Sequence, residues 1–166
     1  MLLVAAYSTM ELRGFAQRGS WQGYALIITH FSAGSAVLAI MLLRLGLRFR
    51  HRSPEIAPPL PRWQRLLSRL THASLYGLFI ALPVLGMLSR YFRGRDWWLF
   101  GVTMPVSREP DSKLSSMLTE WHEILAPLGY WLVGLHAVAA LAHHYLLKDN
   151  TLLRMLPVRQ LRSDRE

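Results

Sequence analysis

Long uncharged runs broken by arginine-rich connections set the reading of this chain. The stretch Trp121–Leu147, WHEILAPLGYWLVGLHAVAALAHHYLL, has no Asp, Glu, Lys or Arg from Ile124 to Leu147. That is long enough for a helix to cross a hydrocarbon core of about 30 Å. Tyr24–Leu43 is a second run, of twenty uncharged residues. Ala73–Ser89 is a third, flanked by His72 and Arg90, with Pro83 as a kink that packed neighbours tolerate. Met1–Met10, MLLVAAYSTM, is apolar but only ten residues long, half of the roughly 20 that a spanning helix needs. It has neither the basic flank nor the cleavage site of a secretory signal, and reads as the outer half of a helix. The pattern predicts an all-α fold and a single domain over 1–166. Its form is a transmembrane four-helix bundle with helices over about 1–10, 24–43, 73–89 and 121–147, the first of them shortened.

The connections orient this bundle. Residues 44–69 carry Arg44, Arg48, Arg50, Arg52, Arg62, Arg65 and Arg69 around a proline-rich centre (Pro54, Pro58, Pro59, Pro61). They predict an extended cytoplasmic linker. The polar tail 148–166, with Lys148, Arg154, Arg159, Arg162 and Arg165, suits the same side. The first and third helices then run outward, the second and fourth inward. Trp97, Trp98 and Phe100, in the longer connection over 91–116, are expected to form an interfacial aromatic belt.

Composition agrees with one membrane domain. Charged residues are 17% of the chain, against about a quarter in soluble domains, and the mean hydropathy is +0.20. The net charge of +9 lies between apolar spans and not on one basic face, so it records membrane orientation and not a nucleic-acid partner. Without cysteine there is no disulfide, iron–sulfur cluster or thiolate ligand.

Histidines inside apolar runs carry the chemistry. In the last span His122, Gly129, His136 and His143 recur at seven-residue steps and form one slowly drifting stripe. His122 and His136 are about 21 Å apart along the axis and about 40° apart around it. His30 lies near the outer start of the second span, at the depth of His122, with Gly34 one turn further on its face to let a flat ring approach. The plain alternative is that each imidazole bonds a neighbouring carbonyl; the matched depth favours ligation. His136, mid-span, is where an unpaired polar group is least comfortable. For its partner His72 is expected to be too shallow, and better matched in depth to His143. His143 is only about 10.5 Å beyond His136 and His144 is turned about 100° off the stripe. Both suit a snorkelling polar end, or a quinone or proton role. His51 lies among linker arginines, solvated. Gly129 serves close helix packing or cofactor clearance.

Zinc would need a compact tetrahedral set, for which only Glu120 and Glu123 stand near His122. Histidines paired across helices at two depths fit haem b better, because such an iron takes one axial ligand on each face. No C-x-x-C-H motif is present, so the haem would be non-covalent. With both axial positions filled, the iron would carry electrons. A haem-bearing anchor for a separate dehydrogenase and a haem-free metal transporter are the alternatives.

At this point the chain resembles the prokaryotic cytochrome b561 family. The resemblance rests on AAY and MELRGF near the start, Thr29–His30, FIALPVLG in the third span, and FGVTMP at Phe100–Pro105. It continues through Trp121–Glu123, Leu128–Tyr130, GLHAVAALAHHY and KDNTLLRMLP, over nearly the whole chain. It implies four helices and two b haems. His30 and His122 would be the axial ligands of the outer haem and His136 one ligand of the inner. The fourth family ligand is expected ahead of AAY, upstream of Met1, so the second haem lacks a ligand in this chain. Half a spanning helix is a poor membrane segment, which favours a start further upstream over a protein with a defective inner site. The resemblance also implies a place in the bacterial cytoplasmic (inner) membrane, and electron transfer between superoxide outside and ubiquinone or another quinone in the membrane lipid. Arg93, Arg95, Arg108 and Lys113 would attract the anion, and quinone would sit near His143 and His144.

Overall fold

The computed structural model describes residues 1–50 and 61–146. His51, the prolines at 54, 58 and 59, and the tail over 148–166 lie outside them. Four helices account for most of the described chain: α1 Leu2–Arg13, α2 Trp21–Arg50, α3 Arg62–Arg93 and α4 Ser112–Tyr145. Between α3 and α4 lies a small hairpin, β1 Trp98–Leu99 and β2 Val102–Thr103. Helices α2, α3 and α4 are long and apolar enough to cross a membrane.

The helices run well past the apolar runs that nucleate them. Of the extended linker expected over 44–69, residues 44–50 continue α2 and 62–69 open α3. Arginine and leucine are strong helix formers, so nothing local stops propagation once the apolar turns have formed. Pro61 then stands just ahead of α3 as its N-cap residue. α4 likewise starts before its apolar run, where the Asp111 carboxylate accepts the Leu114 N–H at 2.9 Å, an N-cap that satisfies an orphan donor. At about 1.5 Å per residue the three long helices span roughly 45–51 Å, more than a hydrocarbon core.

α3 and α4 pack antiparallel in one unbroken register. Ser89 meets Thr119 (2.6 Å between hydroxyls), Gly86 meets His122, Phe79 meets Gly129, and His72 meets His136. Each step down α4 is matched by an equal step back along α3, so a seven-residue stripe on one helix faces its counterpart on the other. At the hairpin end the pair is clasped by small polar residues. Ser89 donates to the Ser115 carbonyl (3.1 Å) and Ser115 returns a bond to the Ser89 carbonyl (3.0 Å). Such small hydroxyl side chains let helix backbones approach closely. Between the two histidine levels lies an apolar core of Val37, Leu78, Phe79 and Leu82.

The short α1 is tied across this core by Tyr7, whose hydroxyl donates to the Ala126 carbonyl at 3.0 Å. Its ring lies against Tyr130, 4.3 Å between centroids, and Tyr130 donates to Glu11 at 2.9 Å. A Cβ on Gly129 would collide with the Tyr7 hydroxyl. Of its two expected roles, Gly129 therefore serves helix packing.

The hairpin turns at Phe100 and Gly101, both at positive φ (49° and 82°), the conformation that a two-residue type I′ turn demands. The Phe100 N–H donates to Ser32 of α2 at 2.9 Å. Trp97 does not join an aromatic belt. It is 5% exposed and packs edge-on against Phe31, 5.7 Å between centroids, because the hairpin folds it back over α2. Trp98 and Phe100 remain exposed.

Gly129→Val should lower the melting temperature in detergent clearly more than Tyr7→Phe, which loses one hydrogen bond, about 1 kcal/mol. The clash account further predicts that Tyr7→Ala partly rescues Gly129→Val. Additive losses in the double variant would refute it.

Candidate functional site

The His30 and His122 rings face each other across the helices at the hairpin end, with centroids 6.1 Å apart and planes at 76°. His30 Nδ1 lies 2.7 Å from the Ala6 carbonyl of α1, and His122 Nδ1 lies 2.8 Å from the Leu82 carbonyl of α3. A carbonyl only accepts, so in both rings Nδ1 carries the proton and donates it. Both Nε2 atoms keep their lone pairs. This is the tautomer of a metal-ligating imidazole, its other nitrogen anchored by backbone. The carbonyl bonds expected of a purely structural histidine are thus present, and they leave the opposite nitrogen ready to bind.

The two rings open into a cavity of about 550 Å3 reached by all four helices. Its walls are chiefly apolar, including Leu3, Ile27, Val37, Phe79 and Met87. Gly34 lines it, and a Cβ there would meet nothing within 4 Å, so its face is clear for a planar group. Gly86 has a different use. A Cβ at Gly86 would stand 3.4 Å from the His122 ring, so the bare backbone of α3 seats that imidazole. Sequence reading passed over Gly86, although it stands one heptad from Phe79 and two from His72.

The donor set fits a ring-held iron. Two imidazoles on opposite faces of one iron, with metal–nitrogen bonds of about 2 Å, have centroids roughly 6 Å apart. Among the described residues no three His, Asp or Glu side chains converge as a metal cage would require. A porphyrin supplies the other four donors itself.

Above this cavity, at the hairpin end, lies a second one of about 830 Å3, lined by Arg13, Arg18, Arg90 and Arg93 together with Asp96. The two share Arg13, Phe31, Arg90 and Arg93 as walls. The Arg90 guanidinium lies 4.9 Å over the Phe31 ring, and Phe31 in turn packs on His30 at 5.9 Å. Of the cations singled out in the sequence only Arg93 lines this mouth; Arg95, Arg108 and Lys113 do not. Arg13, Arg18 and Arg90 replace them. The MELRGF segment and the end of the third span held the signal, since both reach the depth of His30.

Fourteen residues further along α4, the His136 ring meets His72 of α3, with centroids 5.4 Å apart and planes at 70°. The expectation that His72 is too shallow, and level with His143, is overturned. Continuous helix from Arg62 and the α3–α4 register put His72 opposite His136. His143 and His144 stand in the last turn of α4, about 10.5 Å or more beyond His136. The His144 ring packs edge-on against Tyr145 (4.8 Å), with Nδ1 buried and without a hydrogen-bond partner among the described residues.

Paired imidazoles that suit the two faces of one iron, inside helices able to cross a bilayer, define a membrane b-type cytochrome. Comparison with known proteins gives the same class, and the chain belongs to the prokaryotic cytochrome b561 family, whose model matches residues 1–158. It is 44% identical over 157 residues to a protein of Yersinia pestis named "Probable superoxide oxidase CybB", covering 95% of this chain and 88% of that one. It is 41% identical over 161 residues to "Cytochrome b561 homolog 1" of Escherichia coli K12, covering 96% and 92%. "Cytochrome b562" of Cereibacter sphaeroides is 33% identical over 128 residues, 76% of this chain and 65% of that protein.

Gly86→Leu should push the His122 ring from its seat and weaken its bond to Leu82. The expected readout in purified protein is partial loss of low-spin haem absorbance, with helix content by circular dichroism unchanged. A native spectrum in this variant would refute the seating role.

Proposed function

We propose that this cytochrome oxidises superoxide outside the cytoplasmic membrane and passes the electrons to quinone. The observation that carries the reading is the arginine-walled mouth that opens onto the His30–His122 cavity. Converging cationic side chains at the mouth of an apolar cleft raise the local concentration of a small anion and speed its arrival. The name of the Yersinia relative points to the same substrate. Two superoxide anions each give up one electron as they become dioxygen, and one quinone takes both electrons with two protons.

In this reading the four helices form a transmembrane bundle with α1 as part of one wall. The arginines over 44–69 and in the tail hold those segments in the cytoplasm, so the hairpin end faces the periplasm. Haem b, when bound, supplies a reversible one-electron iron couple. His30 and His122 would hold the periplasmic haem, and His136 one face of a second. The protein's own part is to fix both imidazole tautomers through Ala6 and Leu82, to exclude water with the Val37–Phe79–Leu82 core, and to present the anion with Arg13, Arg90 and Arg93. His143 and His144, at the cytoplasmic end of α4, are placed to hydrogen-bond a quinone.

In proteoliposomes fed with enzymatically generated superoxide, Arg13→Gln with Arg93→Gln should slow ubiquinone reduction about 3- to 10-fold at low salt and flatten its salt dependence. The haem spectrum should not change. A rate equal to that of the unmodified protein would remove the arginine mouth from the reaction. His30→Ala and His122→Ala should each abolish the same low-spin haem signal. Independent effects of the two would show that they do not share one iron.

A further inference from the structure

We propose that Thr9 is a positioning residue for His30: its buried hydroxyl shares the Ala6 carbonyl with the His30 Nδ1–H and so sets how electron-rich that imidazole is. This rests on the haem reading above and deepens it, by naming a residue that tunes the site through another side chain.

The carbonyl is the first ground. Ala6 receives the His30 Nδ1–H at 2.7 Å and the Thr9 hydroxyl at 2.9 Å. Within α1 its oxygen also faces the Met10 N–H, the helical partner four residues on. A carbonyl oxygen has two lone pairs, so these donors must share it. The Thr9 hydroxyl has one proton and a second acceptor in reach, the Ala5 carbonyl, also at 2.9 Å. Turned to Ala6, it draws electron density from the oxygen that holds His30. Turned to Ala5, it leaves that oxygen to the imidazole.

Burial is the second ground. Thr9 is 7% exposed, and with Ser89 and Ser115 it makes up the buried polar residues among those described. Ser89 and Ser115 bond each other across α3 and α4. Among the described residues the Thr9 hydroxyl bonds only carbonyls of its own helix, so it is no clasp between helices. Such back-bonding commonly does no more than satisfy a hydroxyl. Here the carbonyl it reaches is the one that anchors a histidine of the cavity.

His122 supplies the contrast. The Leu82 carbonyl holds its Nδ1–H at 2.8 Å, with no side-chain hydroxyl on that oxygen among the described residues. One imidazole therefore has an acceptor free of side-chain competition, and the other has a shared one. A carbonyl that accepts strongly from Nδ1–H makes the opposite nitrogen a more basic ligand, and hydrogen bonding of this kind is a lever on haem potential. By sharing the Ala6 oxygen, Thr9 shifts the balance toward ferrous iron and eases acceptance of an electron.

The test is redox titration of the purified full chain. Thr9→Val keeps the branched shape and removes the hydroxyl. It should lower the midpoint potential of the low-spin haem component that depends on His30 and His122, with haem content and helix content unchanged. The expected shift is about threefold in the ferric-to-ferrous ratio at fixed potential, the lower range of one net hydrogen bond, or about 30 mV for a one-electron couple. Thr9→Ala should move the midpoint in the same direction. Thr9→Ser, which keeps the hydroxyl, should restore the native value. An unchanged midpoint in Thr9→Val, even with a lower melting temperature, would reduce Thr9 to packing and overturn the inference. An equal shift in Thr9→Ser would overturn it too, because the hydroxyl would then not be the cause. A shifted midpoint without superoxide-dependent quinone reduction in the unmodified protein would overturn the proposed function and leave this inference standing. No haem in the unmodified protein would overturn both.

Discussion

An imidazole kept away from water must satisfy two nitrogens, and that requirement organises this molecule. At His30 and His122 the backbone takes one nitrogen of each ring, through the Ala6 and Leu82 carbonyls. Those bonds do more than anchor. They commit the proton to Nδ1, so the remaining lone pairs converge on the space between the rings. The carbonyls come from α1 and α3, while the histidines stand on α2 and α4. One pair of rings therefore draws on all four helices, and any displacement of the short α1 acts directly on His30.

The α3–α4 register places ring contacts between histidines at two levels. Small residues at Ser89, Ser115 and Gly86 bring the helices close, and Gly129 leaves room for the hydroxyl of Tyr7 where α1 crosses. Once the helices are close and straight enough to keep step, the spacing of one stripe is imposed on the other. Pro83 and Pro127 lie inside these helices, yet the register passes through both. Interior prolines of this kind are tolerated where neighbouring helices restore the lost bonding.

Much of this was visible in the residues alone, for stated physical reasons. Uncharged runs locate helices because a bilayer admits few charges, and the depths of His30 and His122 follow from their distance to the ends of those runs. The level of His72 did not follow, because its run was counted from the first apolar residue. Helix α3 begins at Arg62, and polar turns ahead of a span leave no hydropathy signature. The heptad 72, 79, 86 facing 136, 129, 122 was written in the sequence, but only a known helix pairing makes it readable. Trp97 was misplaced for a similar reason. A tryptophan beside a span resembles a belt residue until the Phe100–Gly101 turn folds it inward.

The charge at the hairpin end shows why pairing matters as much as composition. Arg93, Arg95, Arg108 and Lys113 look equivalent as a cluster of cations in one connection. α3 carries Arg90 and Arg93 toward the cavity on one face, and α1 delivers Arg13 from the opposite wall. Arg90 is further fixed over Phe31, a cation–π contact that keeps a guanidinium against an apolar wall. Four like charges converging on one mouth repel one another, and only Asp96 among the lining residues offsets them. Folding would not favour that arrangement for its own sake. An anion arriving at the mouth would relieve the repulsion, and this imbalance is what supports the proposed entry of superoxide there.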